Sequence, residues 1–130
     1  MEIEIFTLCD FAQDNNGKLT VVGTFDGINT KQFPFTQQSF SVACRLRFAE
    51  KETGTHDMRL RFIDIDGKEI LQPIQGQMNI PKPINGQYST INLVFNLSQI
   101  KFDKPGRYSF ELYIDDEWES GLPLFINQPG

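Results

Sequence analysis

Apolar and polar side chains alternate along most of this chain, which is the pattern of half-buried β-strands. The clearest run follows the turn signal Pro105-Gly106 and continues to Asp115. Its apolar positions are Tyr108, Phe110, Leu112 and Ile114. An inward tyrosine just after a Pro-Gly turn is typical of the tyrosine corner of antiparallel sandwiches, in which the phenol bonds backbone a few residues upstream. We therefore expect Tyr108 to anchor the turn before its strand.

The same alternation predicts further strands over residues 2–12, 18–25, 39–49, 57–64, 68–80, 88–97 and 118–126, and no helix. Asn16-Gly17 and Asp66-Gly67 suit two-residue hairpins. Residues 27–38 form a predicted crossing loop. Pro73 and Gly76 interrupt the segment 68–80, which is then an edge strand, a bulge or two short strands. Strands at this spacing predict an all-β fold: an antiparallel two-sheet β-sandwich of about eight strands, immunoglobulin-like.

Composition narrows the class of protein. The 130 residues predict a single domain, 1–130, with one hydrophobic core. A net charge of −5 disfavours nucleic acid and anionic membranes as partners, because both attract an excess of Lys and Arg. The N-terminal residues lack the basic and apolar regions of a signal peptide. We therefore expect a cytoplasmic protein in which Cys9 and Cys44 are reduced and unpaired.

Four motifs follow one another along the chain: Leu8-Cys9-Asp10-Phe11-Ala12, Gly17-Lys18-Leu19-Thr20-Val21-Val22-Gly23, Phe33-Pro34-Phe35 and Pro105-Gly106-Arg107-Tyr108. In this order they resemble a bacterial family of uncharacterised single-domain proteins. The resemblance covers most of the chain. It implies a small intracellular β-sandwich of unknown function, and it provides no catalytic residues to transfer.

The residues that most enzymes need are scarce. His56 is the only histidine, and it lies at a predicted hairpin tip. A hydrolytic triad uses a histidine to move the proton, and transition-metal sites use clusters of His and Cys. Neither of the glycine-rich phosphate-binding motifs, G-x-x-x-x-G-K-[ST] and G-x-G-x-x-G, occurs in the sequence. The sequence therefore predicts a protein that is not an enzyme, with no catalytic residues and no cofactor.

An arginine ladder is the first candidate for a binding site, and it consists of Arg45, Arg47, Arg59 and Arg61. If Phe48 faces Met58 in a hairpin, Arg47 lies opposite Arg59 and Arg45 opposite Arg61, all on the solvent face. Like charges directly opposed destabilise a sheet. Either outward acids such as Glu111 and Asp115 neutralise them, or they bind an anionic ligand or an acidic partner.

Acidic turns are the second candidate, and their residues are Asp64, Asp66, Glu69, Asp115, Asp116 and Glu117. In a two-residue Asp66-Gly67 hairpin, Asp64 faces Glu69. Carboxylates clustered at one end of a sandwich could hold Ca²⁺, which takes six to eight oxygen ligands. The alternative is that they are solvated turn residues, for which Asp is a common choice.

Exposed aromatics are the third candidate. Tyr113 points outward by parity, and Trp118 follows a turn. Such side chains stack on sugars or form protein interfaces, unless Trp118 covers an edge of the core.

Our first hypothesis is a non-enzymatic module that binds a protein partner or a second copy of itself. The alternative is a module for a small ligand, carbohydrate or calcium, that uses the acidic turns or Trp118.

Overall fold

The computed structural model describes every residue from Met1 to Gly130. Nine strands alternate with turns: β1 (Glu2–Asn15), β2 (Lys18–Phe25), β3 (Gly27–Asn29), β4 (Phe35–Ala49), β5 (Gly54–Ile63), β6 (Ile74–Ile80), β7 (Tyr88–Phe102), β8 (Gly106–Ile114) and β9 (Glu117–Asn127). The single helical element is a 3₁₀ turn over Glu50–Glu52. No helix is long and apolar enough to cross a membrane. The all-β prediction is confirmed, and β3 is an additional strand within the predicted crossing loop.

The strands form two sheets, with orders β2-β1-β4-β7 and β3-β9-β8-β5-β6. The short strand β3 pairs in parallel with β9, so the five-stranded sheet is mixed rather than purely antiparallel as predicted. The strand within the segment 68–80 is β6, which lies at a sheet edge, as one of the predicted alternatives required. An edge suits this strand because Pro73, which cannot donate a backbone hydrogen bond, lies immediately before it.

The chain divides into two compact units. The first consists of Met1–Phe25, Ser39–His56 and Gln77–Leu97. In it, the ring of Phe25 packs edge-on against Phe40, with centroids 6.1 Å apart. A separate small cluster contains the buried Cys9, Ala12 and Ala43, against which Leu19, Val21 and Val94 pack. Cys9 and Cys44 are buried and unpaired, as predicted.

The second unit consists of Asp26–Gln38, Asp57–Gly76 and Ser98–Gly130. Its core is aromatic: Phe62 stacks on Phe110 with centroids 4.1 Å apart, and Phe102 meets the ring of Tyr108 edge-on at 5.0 Å. Tyr108 is buried, and its phenol donates a hydrogen bond of 2.7 Å to the carbonyl of Lys104, four residues upstream. The predicted tyrosine corner is therefore confirmed.

The two predicted hairpin turns have different outcomes. Asn16 and Gly17 both have positive φ, 53° and 85°, and connect β1 directly to β2 as a two-residue turn. The Asp66-Gly67 turn is one residue longer than predicted, because the amide of Asp64 donates to the carbonyl of Lys68. This one-residue difference places Glu69 opposite Ile63. The predicted pairing of Asp64 with Glu69 is therefore wrong.

Candidate functional site

The four arginines of the predicted ladder are divided between the two sheets. Arg45 and Arg47 lie on β4 in the four-stranded sheet, whereas Arg59 and Arg61 lie on β5 in the five-stranded sheet. The predicted hairpin between these strands is wrong, because β4 is flanked by β1 and β7, and β5 by β8 and β6. After the 3₁₀ turn, Gly54 has φ 123°, a conformation that glycine adopts without strain, and the chain enters the other sheet.

Arg45 and Arg47 are occupied within the first unit. Both approach the carboxylate of Glu4, at 3.8 and 3.4 Å respectively. Arg45 also donates to the side-chain oxygen of Asn92 and to the carbonyl of Gly17 in the β1–β2 turn. The guanidinium of Arg47 lies 4.4 Å from the ring centroid of Tyr88. These contacts connect β4 to β1, to the β1–β2 turn and to β7 within the four-stranded sheet.

The other pair belongs to a row of side chains across three adjacent strands. Arg59 on β5 pairs with Tyr113 on β8, which pairs with Trp118 on β9. The guanidinium of Arg59 lies over the ring of Tyr113, 4.4 Å from its centroid. Trp118 is 58% exposed. The row therefore presents a cation, a phenol and an indole side by side on one face, with about 5 Å between neighbouring strands.

A second row lies beside the first and fixes it in place. Arg61 pairs with Glu111, which pairs with Gly121. Arg61 does not bond Glu111, however. Its Nε donates to Glu69 at 2.7 Å, and its Nη1 donates to the phenol oxygen of Tyr113 at 3.3 Å. These two hydrogen bonds, the one with Tyr113 first, raise the pKa of Arg61 above its ordinary value.

Glu111 instead orients the indole. Its Oε2 accepts a 2.7 Å hydrogen bond from Nε1 of Trp118, and its Oε1 accepts one from the hydroxyl of Ser109. The space for this carboxylate exists because position 121 is glycine: a Cβ there would lie 2.7 Å from Oε2 of Glu111. We call the two rows, Arg59–Tyr113–Trp118 and Arg61–Glu111, the Trp118 surface. Glu111 thus lies opposite Arg61 in the strand register, as the neutralising alternative requires, and its hydrogen bonds are to Trp118 and Ser109.

The two acidic turns lie at opposite ends of the five-stranded sheet. Antiparallel β5 and β8 pair Met58 with Ile114 at one end and Ile63 with Ser109 at the other. The turn residues Asp64, Asp66 and Glu69 follow the second end, whereas Asp115, Asp116 and Glu117 lie at the first. No group of three or more His, Cys, Asp or Glu side chains is placed to hold a metal ion. The structure therefore gives no geometric support to the predicted calcium site.

The turn carboxylates make local hydrogen bonds. Oδ1 of Asp64 accepts from the backbone amides of Asp66 and Lys68, both at 2.9 Å. Oδ1 of Asp115 accepts from the amide of Asp57 at 2.8 Å. These bonds order the turns, which is the usual role of Asp at such positions. Beside the first turn is an open cavity of about 500 Å³ lined by both signs of charge, from Asp64, Asp66, Lys68, Glu69, Lys101, Asp103 and Lys104, with Ile70 and Tyr108.

Within the row, the pairing of Tyr113 with Trp118 had a signal in the sequence, the turn residues Asp115-Asp116. Asp115 and Asp116 both have positive φ, 52° and 64°, and form the two-residue turn between β8 and β9. A two-residue turn at these positions pairs Ile114 with Glu117 and therefore Tyr113 with Trp118, as observed. The pairing of Tyr113 with Arg59 had no such local signal, because β5 and β8 are distant along the chain.

Comparison with models of protein families identifies the family of this chain. A model of a family described as a family of unknown function, DUF6941, matches residues 4–127. The chain belongs to this family. The expected membership of an uncharacterised family is therefore confirmed. A comparison of the DUF6941 chain with curated proteins finds no match.

Solved structures resemble the DUF6941 chain only distantly. A β-glucosidase from Listeria innocua in complex with isofagomine is 10% identical and has a TM-score of 0.50, over 94% of this chain and 16% of that chain. A superoxide reductase (neelaredoxin) from Ignicoccus hospitalis is 15% identical with a TM-score of 0.36, over 93% of this chain and 80% of that chain. The first similarity concerns the fold alone, and the second supports no conclusion. Neither assigns chemistry to the Trp118 surface.

Proposed function

We propose that this DUF6941 chain is a non-enzymatic interaction domain that binds a protein partner through the Trp118 surface. The observation that carries the proposal is the indole of Trp118, which is 58% exposed and yet held by a 2.7 Å hydrogen bond to Glu111. An aromatic side chain that is already ordered loses less conformational entropy on binding than a free one. Exposure and order together are what a binding residue requires.

The residue types of the surface support a protein as the partner. Trp, Tyr and Arg are the residues most enriched among binding hot spots. The surface combines one of each in a single row: Arg59, Tyr113 and Trp118. Such amphipathic side chains contribute large contact areas while keeping a polar group available.

Arg59 indicates the chemistry of the partner. Its guanidinium lies over the ring of Tyr113, 4.4 Å from the centroid. A guanidinium held against a ring is preorganised to accept a carboxylate in a bidentate contact. We therefore propose that the partner presents an acidic side chain to Arg59 and an apolar side chain to Trp118.

Carbohydrate binding is the second candidate function. The same exposed face of Trp118 that suits an apolar side chain also suits a sugar ring, since both stack on aromatic faces. The hydrogen bond to Glu111 fixes the indole in either case. The two candidates differ in the need for Arg59, because a neutral sugar requires no cation.

Peptide display on the purified protein tests the first candidate. We expect a random peptide library to yield sequences in which an acidic residue neighbours an apolar one. Trp118→Ala and Arg59→Ala should each weaken a selected peptide about tenfold or more, because tenfold is 1.4 kcal/mol and hot-spot truncations cost at least this much. Phe11→Ala is the matched control, since Phe11 is 49% exposed but lies on β1 in the other sheet.

The outcomes separate the candidates. Selected peptides that bind Trp118→Ala as well as the parent protein would contradict the proposal. A thermal-shift screen with neutral sugars provides the second arm, because a ligand that binds only the native state raises the melting temperature. A sugar-dependent shift that Trp118→Ala abolishes and Arg59→Ala preserves would favour the carbohydrate function instead.

The fold class, the domain organisation and the cellular location of the chain are also proposals. We propose an immunoglobulin-like sandwich, supported by the two sheets and by the alternation of buried and exposed residues along β5 and β8. A single domain, 1–130, is supported by the family match over residues 4–127. A cytoplasmic location in a bacterium agrees with the two buried free cysteines, because reducing compartments preserve thiols.

A further inference from the structure

We propose that two copies of this chain associate through β7, pairing their edge strands antiparallel about a two-fold axis at Val94. β7 lies at the edge of the four-stranded sheet, beside β4. The pairing would join the four-stranded sheets of the two copies into one sheet of eight strands. This interface is distinct from the Trp118 surface, so either can fail without the other.

The first observation is that β7 lacks the features that usually protect a sheet edge. Edge strands are normally short, kinked, charged or interrupted by proline, because an open edge pairs with other strands. Residues 88–100 contain no charged residue and no proline or glycine. β7 is 15 residues long, and its first positive φ is at Gln99. The segment Thr90–Ser98 is therefore a regular, uncharged edge, about 30 Å long at the usual rise per residue.

The other three edges are protected. β2 carries Lys18 and contains Gly23, where φ is 70°. β3 has three residues. β6 has seven, includes Gly76 and follows Pro73. The contrast makes β7 the one edge whose sequence favours pairing.

The second observation identifies the occupant. An isologous contact requires a surface that is complementary to itself. When β7 is paired antiparallel with its own copy about Val94, residue i lies opposite residue 188 − i. This register places Leu93 opposite Phe95, Asn92 opposite Asn96, Ile91 opposite Leu97 and Thr90 opposite Ser98.

The residues paired in this register match in chemical type more closely than alternation alone would produce. Any alternating strand that pairs antiparallel with its own copy about one residue places outward positions opposite outward ones. Here the chemical type matches as well: aliphatic opposite aliphatic or aromatic, amide opposite amide, hydroxyl opposite hydroxyl. Ile91, Leu93 and Phe95 are each only partly buried in the single chain. Pairing would cover them further. The side chains of Asn92 and Asn96 already have partners within the chain, so the apolar pairs and the backbone hydrogen bonds carry the contact.

Charge substitutions at one cross-strand pair test the register. Thr90 is half-buried, Ser98 is exposed, and both share the outward parity of Asn92 and Asn96. In the proposed dimer, Thr90→Lys with Ser98→Lys creates two Lys–Lys contacts, whereas Thr90→Lys with Ser98→Glu creates two Lys–Glu contacts. The two double variants change the same positions, so each is the other's control. Like charges directly opposed destabilise strand pairing, and opposite charges stabilise it.

Sedimentation velocity across a concentration series provides the readout. We expect the parent chain to form a dimer of twice 14.9 kDa. The Lys/Lys variant should dimerise about tenfold more weakly, because the repulsion occurs twice, and the Lys/Glu variant should remain dimeric. Thermal melting of each variant checks that it is folded.

Three results would overturn the proposal. A parent chain that stays monomeric up to about 0.1 mM would exclude a self-association of that strength. A folded Lys/Lys variant that dimerises normally would place the contact elsewhere, and two folded monomeric variants would refute the register about Val94. Hydrogen exchange of the parent chain is an independent measurement, since amides within Thr90–Ser98 should become better protected as the concentration of the chain rises.

Discussion

The tyrosine corner offers a sharp test of how this fold is held together. Tyr108→Phe removes one atom, the phenol oxygen, which donates a 2.7 Å hydrogen bond to the carbonyl of Lys104. The ring itself remains, with its contacts to Phe62 at 6.0 Å and Phe102 at 5.0 Å between centroids. Because the ring fills the same volume, the variant isolates the hydrogen bond from the packing of the core.

The magnitude follows from where the bond lies. A typical intramolecular hydrogen bond contributes about 0.5–1.5 kcal/mol to stability, and a buried acceptor left without a donor costs about 1–3 kcal/mol. Tyr108 is buried, but Lys104 is exposed, so water can reach its carbonyl when the phenol is removed. We therefore expect the lower part of the combined range, about 1 kcal/mol. For a domain of this size that corresponds to a melting temperature lower by about 4 °C.

Chemical denaturation followed by circular dichroism measures this change, and Tyr113→Phe is the matched control. The phenol of Tyr113 accepts a longer bond, 3.3 Å from Arg61, and its side chain is half-buried. Removing a long, part-buried hydrogen bond of this kind should cost less than about 0.5 kcal/mol. An unchanged midpoint for Tyr108→Phe, or an equal loss in both variants, would refute the reasoning that the corner stabilises the fold.

The dependence on pH gives the same variant a second readout. Burial, with the negative charges of Asp64 and Asp103, raises the pKa of Tyr108. Folding therefore favours the protonated phenol, and this contribution to stability is complete below the ordinary phenol pKa of about 10 and is lost as the pH rises through the folded value. Tyr108→Phe should lack this component of the alkaline loss of stability.

Two further predictions follow from buried or crowded groups. Burial raises the pKa of the Cys44 thiol from 9.0 to about 12, so the free energy of unfolding should fall as the pH rises between these values, by about 1.4 kcal/mol per pH unit. Cys44→Ala should flatten this slope in urea titrations, and an equal slope in the variant would contradict the assignment. Gly121→Ala places a Cβ 2.7 Å from Oε2 of Glu111, which is too close, so the carboxylate should move, Trp118 should lose its hydrogen bond and its fluorescence spectrum should change. An unchanged spectrum would show that Glu111 does not orient the indole.

The prediction of the Trp118 surface from sequence was partial for a clear reason. Parity correctly placed Tyr113 and Glu111 on an outward face, because side-chain direction along a strand depends only on position. The residues that contact Tyr113 and Glu111 are harder to predict from the sequence. The alternation predicts a β4–β5 hairpin for Arg59 and arginine partners for Glu111, because side-chain parity does not identify which strands are adjacent. The contacts that define the surface are therefore tertiary.

The sequence by itself determined what depends on neighbouring residues. The alternation predicted the strands, Asn16-Gly17 predicted its two-residue turn, and the Pro105-Gly106 turn with Tyr108 predicted a bond that spans four residues. Only the tertiary structure decided the pairing of β5 with β8 rather than β4, and the length of the turn at Asp66-Gly67. Strand order is decided by which apolar faces can be buried together, a property of the whole chain. A one-residue change in a turn is decided by small differences in hydrogen bonding, yet it moves every later residue to a new partner.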